Sequence, residues 1–262
     1  MMEKSGKILG NHVETRSLDD LIIADNYRGK MTFISEIASG QQDLGNVCPT
    51  RALSKKDDGT MALDNGKCIM CGYCEESFPK LIKIENKCAN PAKTKNQLIE
   101  YSTTLEHLPD KSYEKMGVEL QDKIKKLFGR SLAIREIDAG SCNGCEIEIT
   151  ALNNPIYDIE RFGIHFVSSP RHADVLLVTG PASRNMETAL LRTYEATPTP
   201  KIVIAAGACA CSGGIFGDTY ATTGGIDKIV PVDVYIPGCP PRPEMLIQGL
   251  LLAVDRMIAH GS

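Results

Sequence analysis

The sequence predicts an α/β protein: a mainly parallel sheet with helices on both faces across its second half, preceded by a small cysteine-rich α+β unit. Three observations predict it. From residue 131 onward, short apolar runs of strand type alternate with longer stretches of helical periodicity, the pattern of a parallel sheet with crossover helices. Three of those runs lead into cysteines flanked by glycine or proline, at Cys142 and Cys145, at Cys209 and at Cys239. Before residue 80, a hairpin signal lies beside the run Cys68-Ile-Met-Cys71-Gly-Tyr-Cys74.

Taken in order, residues 51–63 read as the hairpin, because Asp58-Gly59 supplies the positive backbone angles of a tight turn. Residues 90–130 turn polar and charged, with an amphipathic helix over 111–128 that Gly129 closes. This stretch is expected as a charged helical connector, its lysines a solvated face that also suits an acidic electron carrier. Strands are expected at 132–137, 164–168, 175–179, 202–206 and 232–236, and helices at 145–153, 186–196 and 243–258. One connection fits poorly. Residues 169–173 are too few for an ordinary parallel crossover, so the strand before them is expected to be short or displaced. The units are therefore 1–89, the connector 90–130, and 131–262.

Composition narrows the function classes. A net charge of −4 with no basic block argues against nucleic acid, and the absence of tryptophan with 5% aromatics argues against base-stacking surfaces. The longest apolar stretch, 245–258, is interrupted by Gln248, Asp255 and Arg256, so any membrane role is expected to come through partners. The start Met-Met-Glu-Lys-Ser-Gly-Lys has neither an apolar signal core nor a twin-arginine, and the expected location is cytoplasmic. Ten cysteines in that compartment point to metal or redox chemistry more than to disulfides.

Ligands of open α/β sheets bind outside the carboxyl ends of the strands, so the loops holding Cys142, Cys145, Cys209 and Cys239 converge although they are distant in sequence. Four thiolates meeting there suit an iron–sulfur cluster. Structural zinc is the competing reading, although zinc sites usually draw on two knuckle-like pairs rather than one pair and two singletons. Unligated core thiols are the plainest alternative, and the glycine and proline around each cysteine speak against it. No Gly-x-Gly-x-x-Gly or phosphate loop opens a helix; instead Gly207, Gly213, Gly214 and Gly217 surround Cys209, where they let backbone approach a cluster and aim N–H groups at its sulfurs.

The first half carries a second set. Cys68, Cys71 and Cys74 keep the C-x2-C-x2-C spacing, and the run ends in Phe78-Pro79; an earlier segment ends in Cys48-Pro49. This resembles the bacterial ferredoxins, in which three cysteines of a run bind one cluster and the Cys-Pro ending the run binds the other. Matching Cys48-Pro49 to Phe78-Pro79 puts Ala38, Gln41 and Leu44 where Cys68, Cys71 and Cys74 stand. The losses are complementary: one full set, Cys48, Cys68, Cys71 and Cys74, survives, and the other set is gone. Cys88 has no partner pattern and reads as a bystander.

In the second half, Cys142-Asn-Gly-Cys145-Glu146, Ser169-Pro-Arg-His-Ala-Asp174, Gly207-Ala-Cys209-Ala-Cys-Ser-Gly-Gly214 and Val230-Pro-Val-Asp-Val-Tyr-Ile-Pro-Gly-Cys239-Pro-Pro241 resemble the small electron-transfer subunit of nickel–iron hydrogenases and respiratory complex I. The likeness covers essentially all of 131–262 and is nearest to the formate-hydrogenlyase and energy-converting (group 4) membrane hydrogenases. It implies a flavodoxin-like sheet and a 4Fe–4S cluster on Cys142, Cys145, Cys209 and Cys239 beside a partner's active site, hence two 4Fe–4S clusters in the chain. It implies as partners a nickel–iron hydrogenase large subunit, a ferredoxin or ferredoxin-like donor and, indirectly, membrane-arm subunits, with the chain peripheral on the cytoplasmic face. Quinone-reducing relatives put two adjacent cysteines in the first loop, so Cys142-Asn-Gly-Cys145 favours hydrogenase over complex I; the equivalent subunit of a quinone- or sulfur-reducing complex I relative is the alternative. A zinc or interaction module is the reading outside that class. Glu146 stands where relatives place a proton-moving carboxylate, though a carboxylate in a helix's first turn is an ordinary feature. Arg171 and His172 are candidates to support the cluster from behind its ligands, and Cys211, two residues past a ligand position, reads as a non-ligand.

Overall fold

The computed structural model describes residues 27–34, 44–102 and 112–261, together with Ser17, Asp19 and Ile23, and shows backbone only at 44, 260 and 261. In the first half the order is β1 (Lys30–Phe33), α1 (Leu44–Val47), β2 (Leu53–Lys55), β3 (Met61–Asp64), α2 (Tyr73–Ser77), β4 (Ile82–Glu85). β1 pairs antiparallel with β4 and β2 with β3, the latter through the turn at Gly59, whose φ is 88°. The order is a β–α–β unit written twice about a hairpin. That duplication matches the overlay of the two cysteine runs, of which Ala38 and Gln41 lie outside the described residues. Met31, Phe33, Leu53, Met61, Leu63 and Ile82 form the core, and Phe78 packs against it together with Cys48, Cys68 and Cys74. The side chain standing in for a fourth cysteine has thus become apolar filling.

The segment from residue 90, read as the start of a connector, is part of the structure on both sides. β5 (Ile99–Tyr101) adds to β3 as a third antiparallel strand, while Ala92 and Tyr235 exchange two backbone hydrogen bonds of 2.8 and 2.9 Å. Only its sequence is connector-like; its backbone needs are met by strands from both halves. α3 (Tyr113–Phe128) is also more than a solvated linker. Leu120 and Ile124 are 0% and 2% exposed, within the core of the second half, while Lys115, Lys125 and Lys126 are exposed and Lys123 pairs with Asp255 at 2.6 Å.

The second half contains β6 (Leu132–Asp138), α4 (Gly144–Ala151), β7 (Ile164–Phe166), β8 (Val175–Thr179), α5 (Arg184–Ala196), β9 (Ile202–Ala206), α6 (Gly207–Ser212), β10 (Val234–Ile236) and α7 (Pro243–Gly261). The sheet runs β7-β6-β8-β9-β10, all pairs parallel, which is the flavodoxin order. Residues alternate between its faces: Val175 and Leu177 face α3, α4 and α7, whereas Leu176 and Val178 face α5 and α6. The short connection between β7 and β8 has a simple explanation. β7 pairs with the first half of β6 and stops opposite Ile134; β8 starts opposite Ile134 and pairs with the second half, so the chain never runs back along a strand. The Val167 N–H donates to the Ile134 carbonyl and the Asp174 N–H to the Ala133 carbonyl, fixing both ends of the crossing.

Candidate metal centres

β6, β9 and β10 all end at the same edge of the sheet, and the cysteines follow them there. Past β6, the Asp138 carboxylate accepts from the Gly140 and Ser141 N–H groups at 2.8 and 2.6 Å, turning the chain toward Cys142. Asn143, with φ 69°, then opens α4 and puts Cys145 in its first turn. Past β9, Gly207 takes φ 89° and leads into α6 with Cys209; past β10, Gly238 takes φ 139° before Cys239. The Ala208 N–H donates to the Gly238 carbonyl at 2.8 Å, tying the last two loops together.

Close approach explains two of the four glycines. A Cβ on Gly207 would stand 2.6 Å from the Cys145 sulfur, and one on Gly214 would stand 2.9 Å from that of Cys209. Gly213 packs instead against the backbone of Gly217 and Gly224, and Gly217 faces open space. Burial raises the Cys145 thiol, and Glu146, Cys209, Cys239 and Cys142 raise it further. Burial likewise pushes Cys209 up to about 11, with added repulsion from Cys239 and Cys142. Cys142 and Cys239 are exposed, so the set opens to the surface. Beside it, Ile147, Ile215, Phe216 and Tyr220 are exposed as well.

The first-half set is drawn together in the same way. Cys48, Cys68, Cys71 and Cys74 line one pocket whose walls are Met31, Leu53, Leu63 and Ile84. Burial pushes Cys68 up to about 12, with Cys74, Cys48 and Cys71 adding to it, and Cys74 up to about 11. Cys48 differs: burial raises it, but hydrogen bonds from Thr50, Leu53 and Ala52 outweigh that and leave it below the usual thiol range. The Ala52 N–H reaches its sulfur at 3.2 Å.

This donor chemistry fits iron–sulfur clusters. Burial disfavours the thiolate forms of Cys68, Cys74, Cys145 and Cys209, a cost that a cationic core lying among the sulfurs would offset. The two units touch beside these sets, where Ser212 at the end of α6 donates its hydroxyl to the Gly66 carbonyl, two residues before Cys68, at 2.9 Å.

Other predicted residues fall as follows. Thr179 at the end of β8 donates its hydroxyl to the Glu146 carboxylate, whose second oxygen is buried without a hydrogen-bond partner. Glu146 lines a cavity of about 240 Å³ with Arg135, Glu136, Thr150 and Asn153. Burial, then the charge of Glu146, holds Glu136 above the usual carboxylate range. Arg171 and His172 do not support the cluster site. They lie in an exposed turn before β8, at the amino edge of a parallel sheet whose carboxyl edge carries the cysteines. Their motif is structural at its end: Asp174 binds Arg130 through two hydrogen bonds of 2.7 Å and accepts from the Ala133 N–H. Cys211 is buried with its thiol toward the Ala205 and Ile236 carbonyls at 3.7 and 3.6 Å, and Cys88 sits 3.8 Å from the Tyr27 hydroxyl. Sequence reading missed Tyr27, Arg28, Glu136 and Arg242. Arg242 had a signal, lying just past Cys239-Pro-Pro; the others had none.

Residues 142–253 match the profile of the family described as NADH ubiquinone oxidoreductase, 20 Kd subunit. A probable membrane-bound hydrogenase subunit of Pyrococcus furiosus is 51% identical over 132 residues, which is 50% of this chain and 79% of that one. The chain belongs to the complex I 20 kDa subunit family. Formate hydrogenlyase subunit 7 of Escherichia coli is 53% identical over 145 residues, 55% of each chain, so this chain spans about half of that relative. An NADH-quinone oxidoreductase subunit of Citrifermentans bemidjiense is 51% identical over 113 residues, 43% of this chain and 66% of that one. The 20 kDa family normally binds a 4Fe–4S cluster, and its matched segment runs through Cys142, Cys145, Cys209 and Cys239. The match begins at Cys142, so the first cysteine set lies wholly outside it.

Proposed function

We propose that this chain is the iron–sulfur relay subunit of a membrane-associated nickel–iron hydrogenase complex, carrying electrons between a ferredoxin-type donor and the nickel–iron site of a large partner subunit. The carrying observation is the presence of two four-cysteine sets in one chain, with α6 of one unit hydrogen-bonded through Ser212 to the Gly66 carbonyl just before Cys68 of the other. Cys48, Cys68, Cys71 and Cys74 would hold the first 4Fe–4S cluster, in the ferredoxin-like unit; Cys142, Cys145, Cys209 and Cys239 would hold the second, in the flavodoxin-like unit. When bound, each group supplies one-electron chemistry. The chain supplies the rest. The apolar walls around the first set exclude water, and Gly207 and Gly214 let backbone close over the second. Exposed Cys142 and Cys239, with Ile147, Ile215 and Phe216, give the face on which the large subunit docks. Glu146, anchored by Thr179 and open to the cavity on its other side, is placed to hold and pass protons there.

None of the described helices is long and apolar enough to cross a membrane. Attachment on the cytoplasmic face through membrane-arm partners is therefore part of the proposal. The test is anaerobic isolation of the complex that carries this chain, with iron, acid-labile sulfide and nickel analysis and a hydrogen-evolution assay. Two four-iron clusters in this chain, nickel in its partner and hydrogen evolution are expected. One zinc per cysteine set without sulfide overturns the relay; two clusters with a nickel-free partner assign it to a quinone- or sulfur-reducing complex, the class suggested by the likeness to NADH-quinone oxidoreductase.

A further inference from the structure

The loops of Cys71 and Cys239 are joined by a dipeptide that belongs to neither. Arg28 donates from its Nη1 to the Cys71 carbonyl at 2.8 Å, and its guanidinium lies over the next peptide, within 3.7 Å of where a Cβ on Gly72 would stand. Arg28 is exposed, and among the described residues no carboxylate forms a salt bridge with it. Its neighbour Tyr27 turns the other way. The Arg242 guanidinium sits 5.3 Å from the Tyr27 ring centroid, three residues past Cys239. Arg242 is itself fixed by Glu244, through hydrogen bonds of 3.2 and 2.8 Å, and the Glu244 side chain is 4% exposed. An ion pair on the second unit, with Glu244 buried and Arg242 partly so, thus lies against an aromatic ring, and the residue after that ring places a positive charge, without a salt bridge among the described residues, against a cysteine of the first unit.

We propose that Arg28 raises the reduction potential of the first-unit cluster on the side that faces the second unit, and that the Tyr27–Arg242 stack positions it to do so. The physical reason is elementary. Reduction adds a negative charge to the cluster, a fixed cation next to a ligand's backbone stabilises that charge, and a hydrogen bond to the ligand's carbonyl withdraws density in the same direction. Because Arg28 is exposed, salt weakens the effect. The inference rests on the two-cluster reading above.

The experiment is a potentiometric titration of the isolated complex, following each reduced cluster by electron paramagnetic resonance, for wild type, Arg28→Gln, Arg28→Lys and Tyr27→Leu. Arg28→Gln is expected to lower the first cluster's midpoint potential and leave the second's in place, Arg28→Lys to restore most of the difference, and Tyr27→Leu to give a smaller shift of the same sign. Wild type in high salt is expected to move toward the Arg28→Gln value, a measurement that needs no variant to assemble. An unmoved first potential in Arg28→Gln, or an equal shift of both clusters, overturns the proposal while leaving the relay standing. A wild type with a single cluster signal overturns the relay and this inference with it.

Discussion

Cys68 shows how burial and neighbouring thiols disfavour a thiolate. Burial and the three neighbouring cysteines push its thiol from the usual 9.0 up to about 12 in the folded chain without iron. A thiol raised on folding contributes stability that is fully present below its unfolded value and is lost as pH climbs through its folded value. The cluster-free chain is therefore expected to lose stability from about pH 9 toward about pH 12, and Cys68→Ser to flatten that slope. Urea midpoints at two pH values inside and below that window check it; an unchanged midpoint in the wild type would refute the assignment. The two cysteine sets were expected from spacing, from their place after strands and from resemblance, and the structure draws the first set into one pocket. Arg28 and Glu136 were not expected, because neither lies in a cysteine motif and each matters only through what folding sets beside it.

At the scale of elements, α3 carries the clearest lesson. Its charge and amphipathic period read as a connector, yet Leu120 is fully buried in the core beneath the sheet, and the Phe162 ring stands where a Cβ on Gly117 would fall. Leu120→Ala is expected to cost about 2–5 kcal/mol, as for other buried leucines, whereas exposed Lys125→Ala should stay within about 0.5 kcal/mol. Thermal or urea unfolding of both variants decides whether α3 is structural; equal stabilities would return it to the role of a tether. The strands β8 and β9 were legible because a strand buried on both faces is an unbroken apolar run. β7 falls within the expected 164–168 and is short, as the cramped connection after it requires, but which half of β6 it pairs with was not legible from so brief an edge strand.

At the scale of the molecule, the two halves meet where their cysteines are. Ser212 of α6 donates its hydroxyl to the Gly66 carbonyl at 2.9 Å, Lys95 pairs with Asp227 at 2.7 Å, and the Ala92–Tyr235 bridge closes the seam. Separate ligand sets on one seam make a separable prediction. Cys239→Ser is expected to abolish the second-unit cluster signal in the reduced protein and leave the first-unit signal intact. Loss of the first-unit signal instead would mean that the ligands are partitioned differently, with Cys239 serving the other set.

By itself the sequence determined the class of both units, the two cysteine sets and the turn after each strand, because spacing, periodicity and glycine or proline placement are local properties of the chain. Only the tertiary structure decided that Ser212 after one set meets Gly66 before the other, that Arg171 and His172 stand at the opposite edge of the sheet from the cysteines, and that Tyr27 and Arg28 bridge the two cysteine loops. Those are relations between distant segments. They depend on which strand ends share an edge and which unit packs on which, and no local pattern encodes that.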